Sequence, residues 1–325
     1  MGPIGLTGPQ GATGPIGLRG GAGPSVEAIA LMRWFAAAQT GAQFSVGSRP
    51  KALAFDGEDI WVANELGNNL SRIRSSDGAV VETVGGVPTP IALAFDGDHI
   101  WAANSTRNTV SKIAVDEQLR PPRARADSGS RIAGVYPVGA NPTALAFDGA
   151  HIWVANFSDN TVTKLRASNG ERLSTVPVGS GPNALAFDGA FVWVTNQFDG
   201  TVSKVRAVDG VVVGTFPVGS EPSGVAFDGQ AIWVSNRGDG TVVALRASDG
   251  GRLGVASVGQ SPTAIAFDGV HLWVANAGDN TVTKLRASDG GTLGAFPTGA
   301  VPTGLSFDGV YIWVANQASN TLSKL

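Results

Sequence analysis

The side chains able to do acid–base or metal chemistry are few in this chain, and their spacing limits where they can act. Histidine occurs three times, at His99, His151 and His271, and cysteine is absent. Each histidine stands two residues before a tryptophan: Trp101, Trp153 and Trp273. The same place in other copies of this stretch holds Asp59, Phe191, Ala231 and Tyr311. Three side chains at equivalent points of separate copies cannot all converge. The spacing therefore argues against a histidine metal centre and weakens any histidine general acid or base. Cysteine nucleophiles, thiolate metal sites and disulfides are excluded. No Gly-x-Ser-x-Gly elbow, P-loop or His-Glu-x-x-His pair occurs either. Asp159, Asp199, Asp239 and Asp279 share one loop position in four successive copies. Their Asp-Asn and Asp-Gly pairs are turn formers, and a hard cation needs six or more oxygens within ~2.6 Å. No metal and no cofactor are expected.

What positions these residues is a repeat. Tryptophan recurs at Trp61, Trp101, Trp153, Trp193, Trp233, Trp273 and Trp313, at intervals of 40, 52, 40, 40, 40 and 40. A fixed period near 40 marks a repeat architecture, in which each unit buries its apolar face against its neighbours. The clearest copy predicts four short strands: A over Ala144–Phe147, B over Ile152–Asn156, C over Thr161–Ala167 and D over Arg172–Val178. Asp148-Gly149 and Asn169-Gly170 favour the positive φ angles of tight hairpins. Pro182 and its equivalents interrupt the chain where it crosses to the next unit. Four antiparallel strands per ~40 residues is the pattern of a β-propeller blade. The expected fold is all-β, a seven-bladed propeller over residues 42–325.

The two ends predict how the ring closes. The seventh copy stops at Leu325, the equivalent of Leu165, and so lacks a strand D. Gln43–Pro50 matches Thr215–Pro222 position for position. The N-terminal strand should complete blade 7 and remove two exposed sheet edges. Phe55, Phe95, Phe147, Phe187, Phe227, Phe267 and Phe307 accompany the tryptophans. One aromatic on strand A and one on strand B should fill the wedge between sheets. The seven asparagines at the end of strand B have two readings, a polar ring at the central opening or side chains bonding backbone in the next turn.

Upstream of the ring, glycine falls at every third position from Gly2 to Gly23, giving eight Gly-X-Y triplets. Residues 1–25 are read as collagen-like, since only glycine fits a triple-helix axis. With prolines only at 3, 9, 15 and 24 the helix would be weak, and a single copy is expected to be disordered. Residues 26–41 are predicted to form a connecting helix, with Ala28, Leu31, Phe35 and Ala38 along one stripe. That stripe either docks on the propeller or registers three chains as a homotrimer. A net charge of −3 argues against a nucleic-acid partner. No apolar run approaches the ~20 residues of a membrane-spanning helix. Met1 leads directly into the glycine repeat with no secretory signal, which leaves open a longer parent protein.

The blade text resembles YVTN-type β-propeller repeats of bacterial surface and secreted proteins. The matching residues are Ile152-Trp153-Val154-Ala155-Asn156, Asn160–Leu165 and Val176-Pro177-Val178-Gly179. The resemblance implies a binding or surface-display module for a protein or glycan ligand, extracellular or at the cell surface, without catalysis. The alternative it implies is a propeller enzyme of the lyase or lactonase type, similar to virginiamycin B lyases. Those need histidine and acidic residues beside a magnesium ion at the central opening, and no histidine is expected on that face here.

Function should sit where the repeats differ. D–A and B–C loops share one face of a propeller, and A–B and C–D loops share the other. On the first face the candidate binding residues are Arg107, Phe157, Gln197, Phe198 and Arg237, with Arg49, Lys51, Glu65, Glu221 and Gln317 also variable. Phe157 and Phe198 belong to adjacent blades, and exposed aromatics among Gln and Arg suit partner binding. The other face carries a 12-residue expansion in blade 2 with Arg120, Arg123 and Arg125. This basic loop is read either as a dock for an acidic partner or as a tolerated insertion.

Overall fold

The computed structural model describes residues 42–115 and 131–325. These form seven four-stranded antiparallel sheets. In blade 3 strand A spans Pro142–Phe147, B His151–Asn156, C Thr161–Arg166 and D Arg172–Pro177. Strands A and B each begin earlier than the apolar pattern suggests. The A–B pairing absorbs this through a bulge between Pro142 and Ala144. The expected segment 1–25, helix 26–41 and arginines 120, 123 and 125 lie outside the described residues.

The Phe-Asp-Gly sequence explains how each A–B hairpin forms. Asp148 Oδ1 accepts the backbone N–H groups of Ala150 (3.0 Å) and His151 (2.7 Å), while Gly149 takes φ 97°. Its other oxygen accepts the Trp153 indole N–H at 2.8 Å. One carboxylate thus shapes the turn and orients the tryptophan. The same indole bond recurs in every blade, from Trp61–Asp56 to Trp313–Asp308.

The core is distributed over the seven interfaces between blades. Trp101 packs with Ile152, Val154, Leu165 and Phe147 of blade 3, and Trp193 with Val225, Ile232 and Phe227 of blade 5. The wedge expected for the tryptophans is therefore present. Trp61, Trp101, Trp153, Trp193 and Trp313 are fully buried, and Trp233 and Trp273 nearly so. A strand-C lysine caps most wedges. Lys164 Nζ lies 5.1 Å from the Trp153 ring and donates to Ala207 O of the next blade at 2.6 Å. Lys112, Lys204 and Lys324 repeat this clamp. Burial lowers the pKa of Lys112 and of Lys324, opposed by Asp96 and Asp98 in the first case and by Asp308 and Asp77 in the second.

Ring closure follows the expectation. Gln43–Ser45 pairs antiparallel with the last strand, Gln43 opposite Ser323 and Ser45 opposite Thr321. Phe44 stacks on Trp313 at 5.5 Å between ring centroids. Lys324 Nζ donates to Ser75 O of blade 1, and Thr303 Oγ1 to Lys51 O.

The loop residues of the D–A and B–C face are tied together. Asp159 Oδ2 accepts the N–H of Ala140 in its own blade, and Asn160 Oδ1 accepts the N–H of Gly181 in the next. Asp199, Asp239 and Asp279 repeat the first bond, so the four aspartates are turn chemistry. The strand-B asparagines differ from both sequence readings. Asn156 Nδ2 donates to Thr161 Oγ1 (3.0 Å) and Thr163 Oγ1 (2.8 Å), hydroxyls of strand C. They are buried inside the blade, where strand-C side chains accept from the amide nitrogen, two in each blade except blade 5.

Candidate functional site at the channel mouth

Two cavities show where the uniform scaffold gives way to individual residues. The first, about 340 Å³, lies at the mouth of the central channel and draws its walls from six of the blades. Its lining comes largely from two positions per repeat. One is the residue after the strand-A proline: Lys51, Ile91, Asn183, Ser223, Thr263 and Thr303, with Thr143 at the same place in blade 3. The other follows the strand-B asparagine and supplies Gln197 and Arg237.

The hydroxyls at the first position have a structural task. Thr143 Oγ1 donates to Pro182 O (2.9 Å), Ser223 Oγ to Pro262 O (2.7 Å) and Thr263 Oγ1 to Pro302 O (2.8 Å). Each links one blade to the next. Blades 1, 2 and 4 give up this link, for Lys51, Ile91 and Asn183. Such departures from a working rule mark positions set by something other than the scaffold.

Lys51 is the most perturbed group of the mouth. Burial lowers its pKa from the ordinary lysine value, Arg49 and Arg237 add to the effect, and Glu65 opposes it. Glu65 is itself engaged by Arg49 at 3.2 Å and faced by Gln317 Nε2 at 3.5 Å. Phe157 and Phe198 meet edge to face with centroids 5.3 Å apart. Phe198 is 67% exposed. The two phenylalanines of adjacent blades thus touch, and Phe198 follows Gln197 in sequence. Of the predicted binding residues, Gln197 and Arg237 line the cavity, and the two phenylalanines are not part of its lining. Arg107 takes the place of the loop aspartate in blade 2, exposed on the same face but away from the cavity lining. The sequence reading underrated Lys51 and passed over Asn183. The signal was present: they interrupt a run of hydroxyls at one repeat position.

The second cavity, about 620 Å³, lies between blades 2 and 3 on the A–B and C–D side. His99 and His151 both line it, with Asp96, Lys112 and Arg166. The three histidines do not converge, as expected, but two of them share this cleft. His151 Nδ1 lies 3.1 Å from Asp148 and His99 Nδ1 3.6 Å from Asp96. Burial pushes the Asp96 pKa up, but hydrogen bonds from His99, Trp101 and the amides of residues 98 and 99 outweigh it and bring the value to about 2. These carboxylates already serve turn and indole. Among the described residues no group of three or more His, Asp or Glu is placed to hold a metal ion.

The fold and the mouth together define a seven-bladed β-propeller with a ligand-sized cavity at one end of its channel. Among solved structures, the chain is similar to the Kuenenia stuttgartiensis hydrazine synthase, with a TM-score of 0.73 and 19% identity over 87% of this chain and 96% of that one. It is also similar to a streptogramin B lyase, with a TM-score of 0.70 and 18% identity over the same shares. At these identities the likeness establishes the fold alone. No family model and no curated protein matches the chain.

Proposed function

We propose that this protein is a non-catalytic binding or surface-display module, a YVTN-type propeller that holds its ligand across the mouth of the central channel. In this reading residues 1–25 form a collagen-like stalk and the protein acts outside a bacterial cell. The observation that carries it is the divergence at the mouth. Seven blades agree on the A–B turn aspartate and the wedge tryptophan, yet they differ in the residues that line one cavity. Uniform positions build the scaffold, and function is argued from the site. The test is a glycan and peptide array probed with the full chain and with Phe157→Ala and Gln197→Ala. Hits that weaken in both variants support the mouth. Hits that persist in both place binding elsewhere.

The second reading is an enzyme of the propeller lyase type. It draws on Lys51, whose lowered pKa would suit a base in the mouth. A lyase of that kind should be stabilised against heat by Mg²⁺ or Ca²⁺, and a display module should not.

A further inference from the structure

We infer that the channel mouth binds the oxyanion of its ligand, a carboxylate or phosphate group, between Lys51 of blade 1 and Arg237 of blade 5. The inference rests on the mouth being the binding site and adds the chemical class of what it takes.

The first argument is the pairing of charge. Across the described residues this chain pairs most of its cations locally. Arg74, Arg206, Arg246 and Arg286 each pair with an aspartate three residues on. Arg72 is held by Asp59 at 2.7 Å, and four of the wedge lysines donate to carbonyl oxygens. Lys51 and Arg237 line one cavity, and among the described residues neither has a carboxylate within ion-pair distance. Arg107, Arg172, Arg252 and Lys284 also lack a carboxylate partner among the described residues, but Lys51 and Arg237 are the unpaired cations that share a cavity. The adjacent carboxylate, Glu65, is already taken by Arg49. Burial and the charges of Arg49 and Arg237 disfavour the Lys51 ammonium, and Glu65 only partly offsets them. A charge taken out of water costs free energy unless paired.

The second argument is the donor inventory. Ser223, Thr263 and Thr303 have spent their hydroxyl protons on carbonyls. What remains to face a ligand is the Lys51 ammonium, the Arg237 guanidinium and the side-chain amides of Asn183 and Gln197. Both charged groups only donate. An acceptor with negative charge completes such a set, and the guanidinium fork suits two oxygens at once. The exposed Phe198, next in sequence to the lining residue Gln197, offers apolar surface for the body of the same ligand.

The probes are acetate, phenylacetate, inorganic phosphate and phenyl phosphate, titrated calorimetrically into the full chain at constant ionic strength. The expected result is saturable one-to-one binding, with carboxylate and phosphate arms showing which oxyanion is preferred. Arg237→Gln, at an exposed position, and Lys51→Met should each weaken binding by about tenfold, as for a charge-assisted pair. Arg246→Gln, whose partner is Asp249 in a C–D turn on the other face, should leave it unchanged. Phe198→Ala should weaken only the phenyl probes. Affinity should fall as pH rises through the lowered pKa of Lys51, which faces Glu65, Arg49 and Arg237, and Lys51→Arg should abolish that fall. Absence of saturation by any probe at about 10 mM, the weak end of specific affinity, would overturn the inference, as would equal binding by parent, Arg237→Gln and Lys51→Met. If no probe saturates while array ligands are still lost in Phe157→Ala and Gln197→Ala, the mouth takes a neutral ligand and the oxyanion assignment alone falls. If array ligands survive every mouth variant, the mouth itself is not the site.

Discussion

At the scale of single residues, the carboxylates of the A–B turns and Lys51 have opposite energetics. Asp96 has its pKa brought down to about 2 in the folded chain, from 3.8. A depressed carboxylate stabilises above the unfolded pKa, and this contribution is lost as pH falls through the folded one. Asp96→Asn should therefore lower the stability at neutral pH, by about 1 kcal/mol after solvent screening. The gap from the parent should shrink as pH drops from about 4 toward 2, read by calorimetry across that range. Lys51 runs the other way. Its pKa is lowered by burial and by Arg49 and Arg237, so its protonated form destabilises the fold below the folded pKa. The penalty fades as pH rises from there toward 10.5, the ordinary value. Lys51→Met should melt about 2 °C or more above the parent at pH 7, with the gain diminishing at high pH. A parent that melts higher at pH 7 would mean that Lys51 is a structural residue.

At the scale of the blade, stability should reside in the wedges and in the turns pressed against them. Trp193→Ala removes a fully buried side chain and should cost roughly 3–5 kcal/mol in denaturant unfolding. Gly170 sits in the C–D turn of blade 3 with φ 73°, and a Cβ there would meet Tyr136 of blade 2 at 2.1 Å. Gly170→Ala thus combines backbone strain with a clash and should cost more than about 2 kcal/mol. Phe198→Ala, at an exposed loop position, should cost under about 0.5 kcal/mol. A reversed order would mean that the loops, and not the wedge, hold the blades. The blade was legible in the sequence because its signals are local. Phe-Asp-Gly makes its own turn, and its aspartate reaches a tryptophan five residues on. The strand-B asparagines were less legible, since their partners are side chains on the facing strand, and pairing register decides which ones.

At the scale of the whole molecule, closure could be read from two partial repeats, while the mouth could not. Lys51 and Arg237 are brought together only when blades 1 and 5 face one another across a channel, a relation that no local spacing encodes. The hydroxyls at Thr143, Ser223, Thr263 and Thr303 acquire a task only through their bonds to the next blade, which the sequence does not display. The closing strand yields a prediction of its own. Deleting residues 1–48 removes the pairing of Gln43–Ser45 and the stacking of Phe44 on Trp313. The truncated protein should lose several kcal/mol. A melting temperature within about a degree or two of the parent would show that the ring does not depend on this strand.

That strand has a mechanical side. It is three residues long, whereas strand D of blade 3 has six, and residue 42 leads straight into it. Tension applied through residue 42 therefore loads the shortest strand before any other part of the ring. Pulled from that end, the molecule should yield first at the Gln43–Ser45 seam, in a small early step, while the other six sheets stay folded. The seam is then a fuse, placed between a pull at residue 42 and the six sheets that remain.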